Sequence, residues 1–249
     1  MNFLDLQDIS FQYPGKPPVV EGLTLTLAAG EVHCLVGRSG CGKTTVLKLA
    51  AGLLAPSAGR ILLRGGALLP PKQIGYVFQA PTLLEWLSVR DNVLLPISIQ
   101  RRPGPVDERA AEALLARLGV ADLASRYPRQ LSGGQQSRVA LARSLFLSPP
   151  LLLLDEPFAA LDALTREEIQ RDLRELVKAR NTTVLFVTHD VGEAVFLSDR
   201  ISVLAERRLV RTITSLANAE RDTTAFGAAC GELRGVLAQA GSVRAEAFA

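Results

Sequence analysis

The sequence predicts an α/β fold with three parts: a parallel-sheet core, an N-terminal antiparallel β subdomain and an inserted α-helical subdomain. Three observations carry this. "VHCLVG" (32–37), "LLLLD" (151–155), "TVLFVTH" (183–189) and "ISVLA" (201–205) are continuous apolar runs, the pattern of strands buried on both faces of a parallel sheet. "FLDLQDISFQY", "LTLTLAAG" and "RILLRGG" in the first third alternate apolar and polar residues, as half-exposed antiparallel strands do. The region 81–130 is different again, with prolines at 96, 103 and 105 and then the helical stretch "DERAAEALLARLGV".

The helices between strands announce their ends. In "TREEIQRDLRELVKARN" Thr165 stands three residues before Glu168, a capping box. Ile169, Leu173, Leu176 and Val177 form its apolar stripe, and Asn181 is the expected stop. "HDVGEAVFLSD" repeats the device with Asp190 and Glu193. Residues 1–215 are expected to form the main domain, with the helical insertion at roughly 81–145. Residues 216–249 read as a short, small-residue-rich tail, weakly periodic around "CGELRGVLAQAG".

Composition removes several classes. A chain of 249 residues with formal net charge +3 has no concentrated basic stripe, so no nucleic-acid partner is expected. Arg207, Arg208 and Arg211 read as a solvated strand edge. No run reaches the ~18 consecutive apolar residues of a membrane-spanning helix. "MNFLDLQDIS" is not expected to be a signal peptide. Cys34, Cys41 and Cys230 are too few and too irregular for a disulfide framework or a zinc site, which suits a reduced, cytosolic protein.

"VHCLVGRSGCGKTTVLKLAAGLL" is strand, glycine loop, helix, and it matches G-x-x-x-x-G-K-[ST]. Backbone N–H groups from Gly37 through Arg38, Ser39, Gly40, Cys41 and Gly42 to Thr45 are expected to face phosphate oxygens. Lys43 supplies a charge to the outer phosphates and the Thr44 hydroxyl a ligand to Mg²⁺, with the helix dipole adding its own field. This makes the core a P-loop NTPase. In that setting the Cys41 thiolate is expected to be favoured and its pKa to fall. "LLLLDEP" places Asp155 at a strand end, where it can hold the Mg²⁺ shell, and Glu156 one residue beyond, where it can polarise a water. There is no N-K-x-D motif, which disfavours guanine. Adenine then needs an aromatic surface, and Tyr13 in "ISFQYPG" is placed for it, a turn tyrosine being the alternative.

A second glycine turn, Leu131-Ser132-Gly133-Gly134-Gln135, runs into the helical "QSRVALARSLF". It is an anion site by the same physics. It serves either the same nucleotide from the other side or a nucleotide held by another molecule, and a two-fold dimer satisfies both.

The ordered set "GRSGCGKT", "YVFQ", "LSGGQ", "LLLLDEP", "ALD" and "VTHD" resembles the ATP-binding subunit of ABC transporters over roughly residues 3–205. The resemblance implies the ABC ATPase fold and a head-to-tail homodimer that sandwiches two ATP molecules with Mg²⁺. By it Gln79 touches Mg²⁺ or water and reports to membrane subunits, and Glu156 is the general base. Asp162 lies at the dimer seam, and His189 contacts the γ-phosphate. Ser137 and Ala159 depart from the family's usual residues without removing a catalytic group. "DEPFAALDALTREEIQRDL" and "LLEWLSVRDNVLLP" look like importers of the nitrate, sulfonate, taurine and pyrimidine-precursor group. The implied partners are transmembrane permease subunits and an extracytoplasmic solute-binding protein, with the chain peripheral on the cytoplasmic face of the inner membrane. Leu83, Leu84, Trp86 and Leu87 exceed what one segment needs for its own packing and are expected to form a permease-receiving groove. An exporter subunit, a soluble nucleic-acid or ribosome switch, and a degenerate structural subunit are the alternatives.

Overall fold

The protein is described by a computed structural model that covers residues 2–63, 66, 73–214 and 221–246. It divides into two units, Met1–Pro71 with Thr183–Ala249, and Lys72–Thr182.

The first unit opens with three antiparallel strands, β1 (Asn2–Gln12), β2 (Pro18–Ala28) and β4 (Ala58–Leu63), in the order β2-β1-β4. β1 buries Phe3, then Leu4 and Leu6, then Ile9 and Phe11, so the alternating inward phase slips by one between residues 6 and 9. The slip is a bulge, where the register against β2 shifts and Asp8 takes φ 51°. Gly59 faces it at φ +84°, and a Cβ there would run into the carbonyl oxygens of Gln7 and Asp8.

The unit's second sheet contains β3 (Val32–Val36), β7 (Thr183–Thr188), β8 (Arg200–Ala205) and β9 (Arg208–Thr214), in the order β7-β3-β8-β9. β3 runs parallel to β7 and β8, and every residue of β3 and β7 is buried, as the continuous apolar runs predicted. β9, with Arg208 and Arg211 exposed, is the solvated edge strand that the arginines suggested, but its turn was not foreseen. It returns antiparallel on β8 through Glu206 and Arg207, at φ 46° and 71°, a two-residue hairpin turn with both central residues left-handed. Such turns ordinarily use Asn-Gly, so Glu-Arg gives no signal. Tertiary contacts hold it: the Glu21 N–H donates to the Arg207 carbonyl at 2.9 Å and the Arg207 guanidinium meets the Glu21 carboxylate at 3.0 Å. Helices α1 (Lys43–Ala50) and α6 (Val191–Leu197) follow β3 and β7. The tail contains a 23-residue helix, α7 (Thr224–Glu246), packed on α6 and β8.

Beneath this sheet's antiparallel edge lies a buried polar chain. His33, fully buried, has Nδ1 2.9 Å from the Glu31 carboxylate and Nε2 2.8 Å from the Ser202 hydroxyl, which in turn meets Thr212 at 2.8 Å. Burial works to raise the Glu31 pKa, but the His33 hydrogen bond, the Ala28 N–H and the His33 and Arg200 charges outweigh it and hold the carboxyl below its ordinary range.

In the second unit β5 (Ile74–Val77) lies parallel to β6 (Leu151–Asp155). Four helices accompany them: α2 (Val89–Ser98), α3 (Pro105–Arg117), α4 (Gly133–Leu145) and α5 (Ala163–Ala179). α2, α3 and α4 pack on one another around Val93, Leu94, Leu114, Leu115, Val139 and Leu145. Pro96 does not punctuate the chain as expected, because it sits in the last turn of α2. The capping box assigned to Thr165 is corrected too. α5 starts at Ala163 and its cap is Asp162, whose carboxylate accepts the Thr165 N–H at 3.0 Å. The stripe Ile169, Leu173, Leu176, Val177 is buried, and Asn181 ends the segment at φ 50°.

Candidate functional site

In the first unit the site grows out of the end of β3. Gly37 must be glycine: a Cβ would collide with the Leu204 carbonyl of β8 and lie 2.7 Å from Cys41 Sγ. Gly40 (φ +78°) and Gly42 (φ +108°) are left-handed, conformations only glycine adopts cheaply. The loop therefore curls tightly while Arg38, Ser39 and Gly40 stay exposed at its rim. Gly42 is the N-cap of α1, and no side chain caps this helix. Lys43 is 6% exposed, and its ammonium donates to the carbonyls of Gly37 at 2.8 Å and Arg38 at 3.1 Å. Among the described residues no carboxylate stands at ion-pair distance from it. A buried cation beside a helix N-terminus with no side-chain cap is suited to an anion such as phosphate.

Cys41 overturns one expectation. It is half-buried, and that burial pushes its thiol up, outweighing the Lys43 charge and the loop N–H groups that work the other way. Helix-terminus proximity was legible in the sequence; burial was not.

Tyr13, in the turn after β1, packs edge-on against Phe11 with ring centroids 4.9 Å apart. His189 is exposed, immediately after β7. Its neighbours are tied down: the Thr188 hydroxyl donates to the Glu193 carboxylate at 2.6 Å and accepts the Asp190 N–H at 3.0 Å. Asp190 caps α6 by accepting the Glu193 N–H at 3.0 Å, as the sequence predicted.

The second unit carries the carboxylates. Asp155, 3% exposed, closes β6. Glu156 follows at φ 46°, a left-handed conformation that is strained for a residue with a Cβ. Gln79 is exposed two residues beyond β5. Between them in this unit the structure places a residue that the sequence did not single out. The Tyr76 hydroxyl is buried without a hydrogen-bond partner; burial, and then the Asp155 charge, raise its pKa.

The two glycine turns differ in a way their sequences hide. Ser132 and Gln135 form a reciprocal capping box at α4: the Ser132 hydroxyl accepts the Gln135 N–H at 3.3 Å, and Gln135 Oε1 accepts the Ser132 N–H at 2.9 Å. Gly134 is held against the segment before α5, where a Cβ would stand 3.1 Å from Leu161 Cδ2 and 3.2 Å from the Ala160 carbonyl. Gly133 faces Ala160 less closely, and both precede Asp162. The Thr165 N–H and hydroxyl hold the Asp162 carboxyl below its ordinary range.

Also missed were the anchors of the segment after Gln79. Arg143, on α4, donates to the carbonyls of Pro81 (3.2 Å) and Thr82 (2.9 Å) and to the Thr82 hydroxyl (3.1 Å), with Thr82 at φ 43°. Fully buried Asn92 donates to the carbonyls of Leu84, Leu87 and Ser88 and accepts the Leu84 N–H. The backbone of 81–88 is thereby fixed by side chains, and it presents Trp86 at 73% exposure. Trp86 is thus a surface residue and not part of the helical core.

A strand–loop–helix cradle with a buried lysine, and a carboxylate pair after an apolar strand, define a P-loop ATPase of the ATP-binding-cassette class. The chain belongs to the ABC transporter family, whose model matches residues 20–159. It is 46% identical over 192 residues to an aliphatic sulfonates import ATP-binding protein of Xanthomonas axonopodis pv. citri, covering 76% of each chain. It is 41% identical over 212 residues to a taurine import ATP-binding protein of Roseobacter denitrificans, covering 83% of this chain and 79% of that one. A choline transport ATP-binding protein of Bacillus subtilis is 38% identical over 218 residues, 85% of this chain but 57% of its own length. Among solved structures, the dimeric post-hydrolysis state of the ATP-binding cassette MJ0796 bound to ADP and Pi matches with a TM-score of 0.78 and 29% identity, over 87% of this chain and all of that one. The protein is an ATPase.

Proposed function

We propose that the chain is the ATP-hydrolysing subunit of an importer for a small solute of the sulfonate or taurine kind, working as a homodimer against membrane permease subunits. Relatives named for sulfonate and taurine import, and the dimeric cassette, support this reading. Among the described residues no helix is long and apolar enough to cross a membrane, and membrane permease subunits are the partners this reading assigns. The subunit would then sit at the cytoplasmic face, with an extracytoplasmic binding protein delivering the solute.

The single observation that carries the ATP site is Lys43, a buried ammonium held by two carbonyls at an uncapped helix N-terminus. In this assignment Gly37–Thr45 hold the phosphates and Tyr13 stacks on the base. Among the described residues no cluster of three His, Cys, Asp or Glu forms an all-protein metal cage. Thr44, Asp155 and Gln79 are a hydroxyl, a carboxylate and an amide, the hard oxygen donors that suit Mg²⁺ shared with a nucleotide. Mg²⁺ bound there neutralises charge developing on the phosphates. Glu156 accepts the proton of the attacking water, and its strained backbone fixes the carboxylate's direction. His189 donates to the terminal phosphate. Ser132–Gln135, with Asp162, close over the nucleotide of the partner copy.

The test is Lys43→Ala. It should abolish binding of a fluorescent ATP analogue and leave a cooperative melt. Retained nucleotide affinity would refute the assignment. For the solute, disruption of the gene should prevent growth on an alkanesulfonate or taurine as sulfur source while growth on sulfate continues. Equal growth on both would overturn the importer class proposed.

A further inference from the structure

The helix α7 lies beyond the residues matched to the family and has no part in the roles assigned above. Glycines at 227, 231, 235 and 241 make it a poor free-standing helix. What orders it is one face. Cys230, Leu233 and Val236 are buried, and Phe226 extends the same stripe one turn toward the helix start. The Thr223 hydroxyl accepts the Phe226 N–H at 3.2 Å and caps the helix where this stripe begins.

That face is laid on α6. Position 192, in the first turn of α6, is glycine, and a Cβ there would stand 3.9 Å from Phe226 Cζ and 3.2 Å from the Asp190 carboxylate. At the other end of α6, the Arg221 guanidinium sits 4.8 Å above the Phe196 ring. α6 is thus gripped at its first and last turns by two side chains from one segment. The grip matters because of what α6 holds. The Thr188 hydroxyl and the Asp190 N–H, on either side of His189, are tied to each other and to Glu193 of α6. A movement of α6 therefore moves both peptide neighbours of His189.

We propose that α7 is a positioning element for His189: by clamping α6 through Phe226 and Arg221 it fixes the cap that aims the histidine. The proposal rests on the assignment of His189 to the terminal phosphate. Phe226 and Arg221 meet α6 at Gly192 and Phe196, so the clamp is expected to act on the chemical step through His189 and to leave nucleotide affinity alone. Misplacing a catalytic group by about 1 Å costs on the order of 10²-fold in rate. Removing the two clamp side chains loosens the cap without fully displacing it and should cost about 10-fold.

The experiment compares the full-length parent, Phe226→Ala/Arg221→Ala, His189→Ala and, as a control on the exposed face of α7, Glu232→Ala. Amide hydrogen exchange is read over 189–197 and 37–45, together with kcat and ATP affinity. The clamp variant should exchange about tenfold faster over 189–197 only, with kcat down about tenfold and ATP affinity within twofold; Glu232→Ala should match the parent. Unchanged exchange, or faster exchange with a parental kcat, overturns the proposal. So does a fall of affinity together with kcat, which marks general loosening. If the double variant does not melt cooperatively, Phe226→Ala alone is judged on the same readouts. A parental rate in His189→Ala instead refutes the role of His189 itself, and is told apart by that variant alone.

Discussion

Replacing Glu156 separates chemistry from strain in a single position. Glu156→Gln keeps side-chain size and the same left-handed backbone at φ 46°, so its stability should match the parent. Only proton acceptance is lost. Removing a positioned base costs roughly 10²–10⁴-fold, which is about 2.7–5.5 kcal/mol of transition-state stabilisation. Glu156→Gly removes the base and the strain together. A left-handed residue with a Cβ carries about 1–2 kcal/mol of strain, and glycine gives back about 0.5–1 kcal/mol through the unfolded chain. The net gain is about 0–1.5 kcal/mol, a rise in Tm of up to roughly 6 °C for a chain of this size. Phosphate release, calorimetry and light scattering with ATP or ADP are measured on all three proteins. Both variants should be slow to a similar degree, with only the glycine variant more stable. The Gln variant should also accumulate as an ATP-dependent dimer, because the nucleotide stays intact between the two glycine turns. A Gln variant that hydrolyses ATP at near the parental rate, or never dimerises, would refute the base and the sandwich. A glycine variant less stable than the parent would refute the strain argument.

Three further outcomes follow from the same geometry. Because burial raises the Cys41 thiol, maleimide labelling should be slower at pH 7 than that of a free thiol, still rise at a pH where a free thiol has levelled off, and be blocked by MgATP. Complete labelling within a minute at pH 7, or equal inhibition of Cys41→Ser, would contradict it. Trp86→Ala removes a 73%-exposed side chain and should change stability by less than about 0.5 kcal/mol and basal hydrolysis by less than twofold, while losing capture of permease subunits; a lowered Tm would return Trp86 to the core. The Glu31 carboxyl lies below its unfolded value of about 4.3, so its stabilisation is complete above that pH and is lost as pH falls through the folded value. Glu31→Gln should therefore lower Tm at pH 7 and flatten the fall of Tm between about pH 5 and 3, and an unchanged acid limb would show that the buried pair contributes nothing.

Much of the site was legible because its chemistry demands particular residue types at fixed spacings. Gly37 is legible from the phosphate-loop spacing, although the Leu204 carbonyl that excludes a Cβ there appears only in the fold. Asp190 caps α6 as the spacing predicted, while the Glu193 carboxylate accepts the Thr188 hydroxyl. The start of α5 was misread because two local signals competed. Thr165 and Glu168 have capping-box spacing, but the Arg138 guanidinium approaches the Thr165 hydroxyl at 3.4 Å and Asp162 takes the cap.

By itself, the sequence determined the strands, the glycine cradle and the order of acid, lysine and histidine, because period-two and period-3.6 burial and phosphate binding are written in residue types a few positions apart. Tertiary structure alone decided the rest. The β8–β9 hairpin turns through Glu206-Arg207 because Glu21, some 186 residues away, holds Arg207. Cys41 became a poor thiolate because its surroundings desolvate it, and Trp86 became a surface residue because Arg143 and Asn92 fix the backbone around it. Desolvation and long-range hydrogen bonds depend on what folds against a residue, and neighbours in the chain do not specify that.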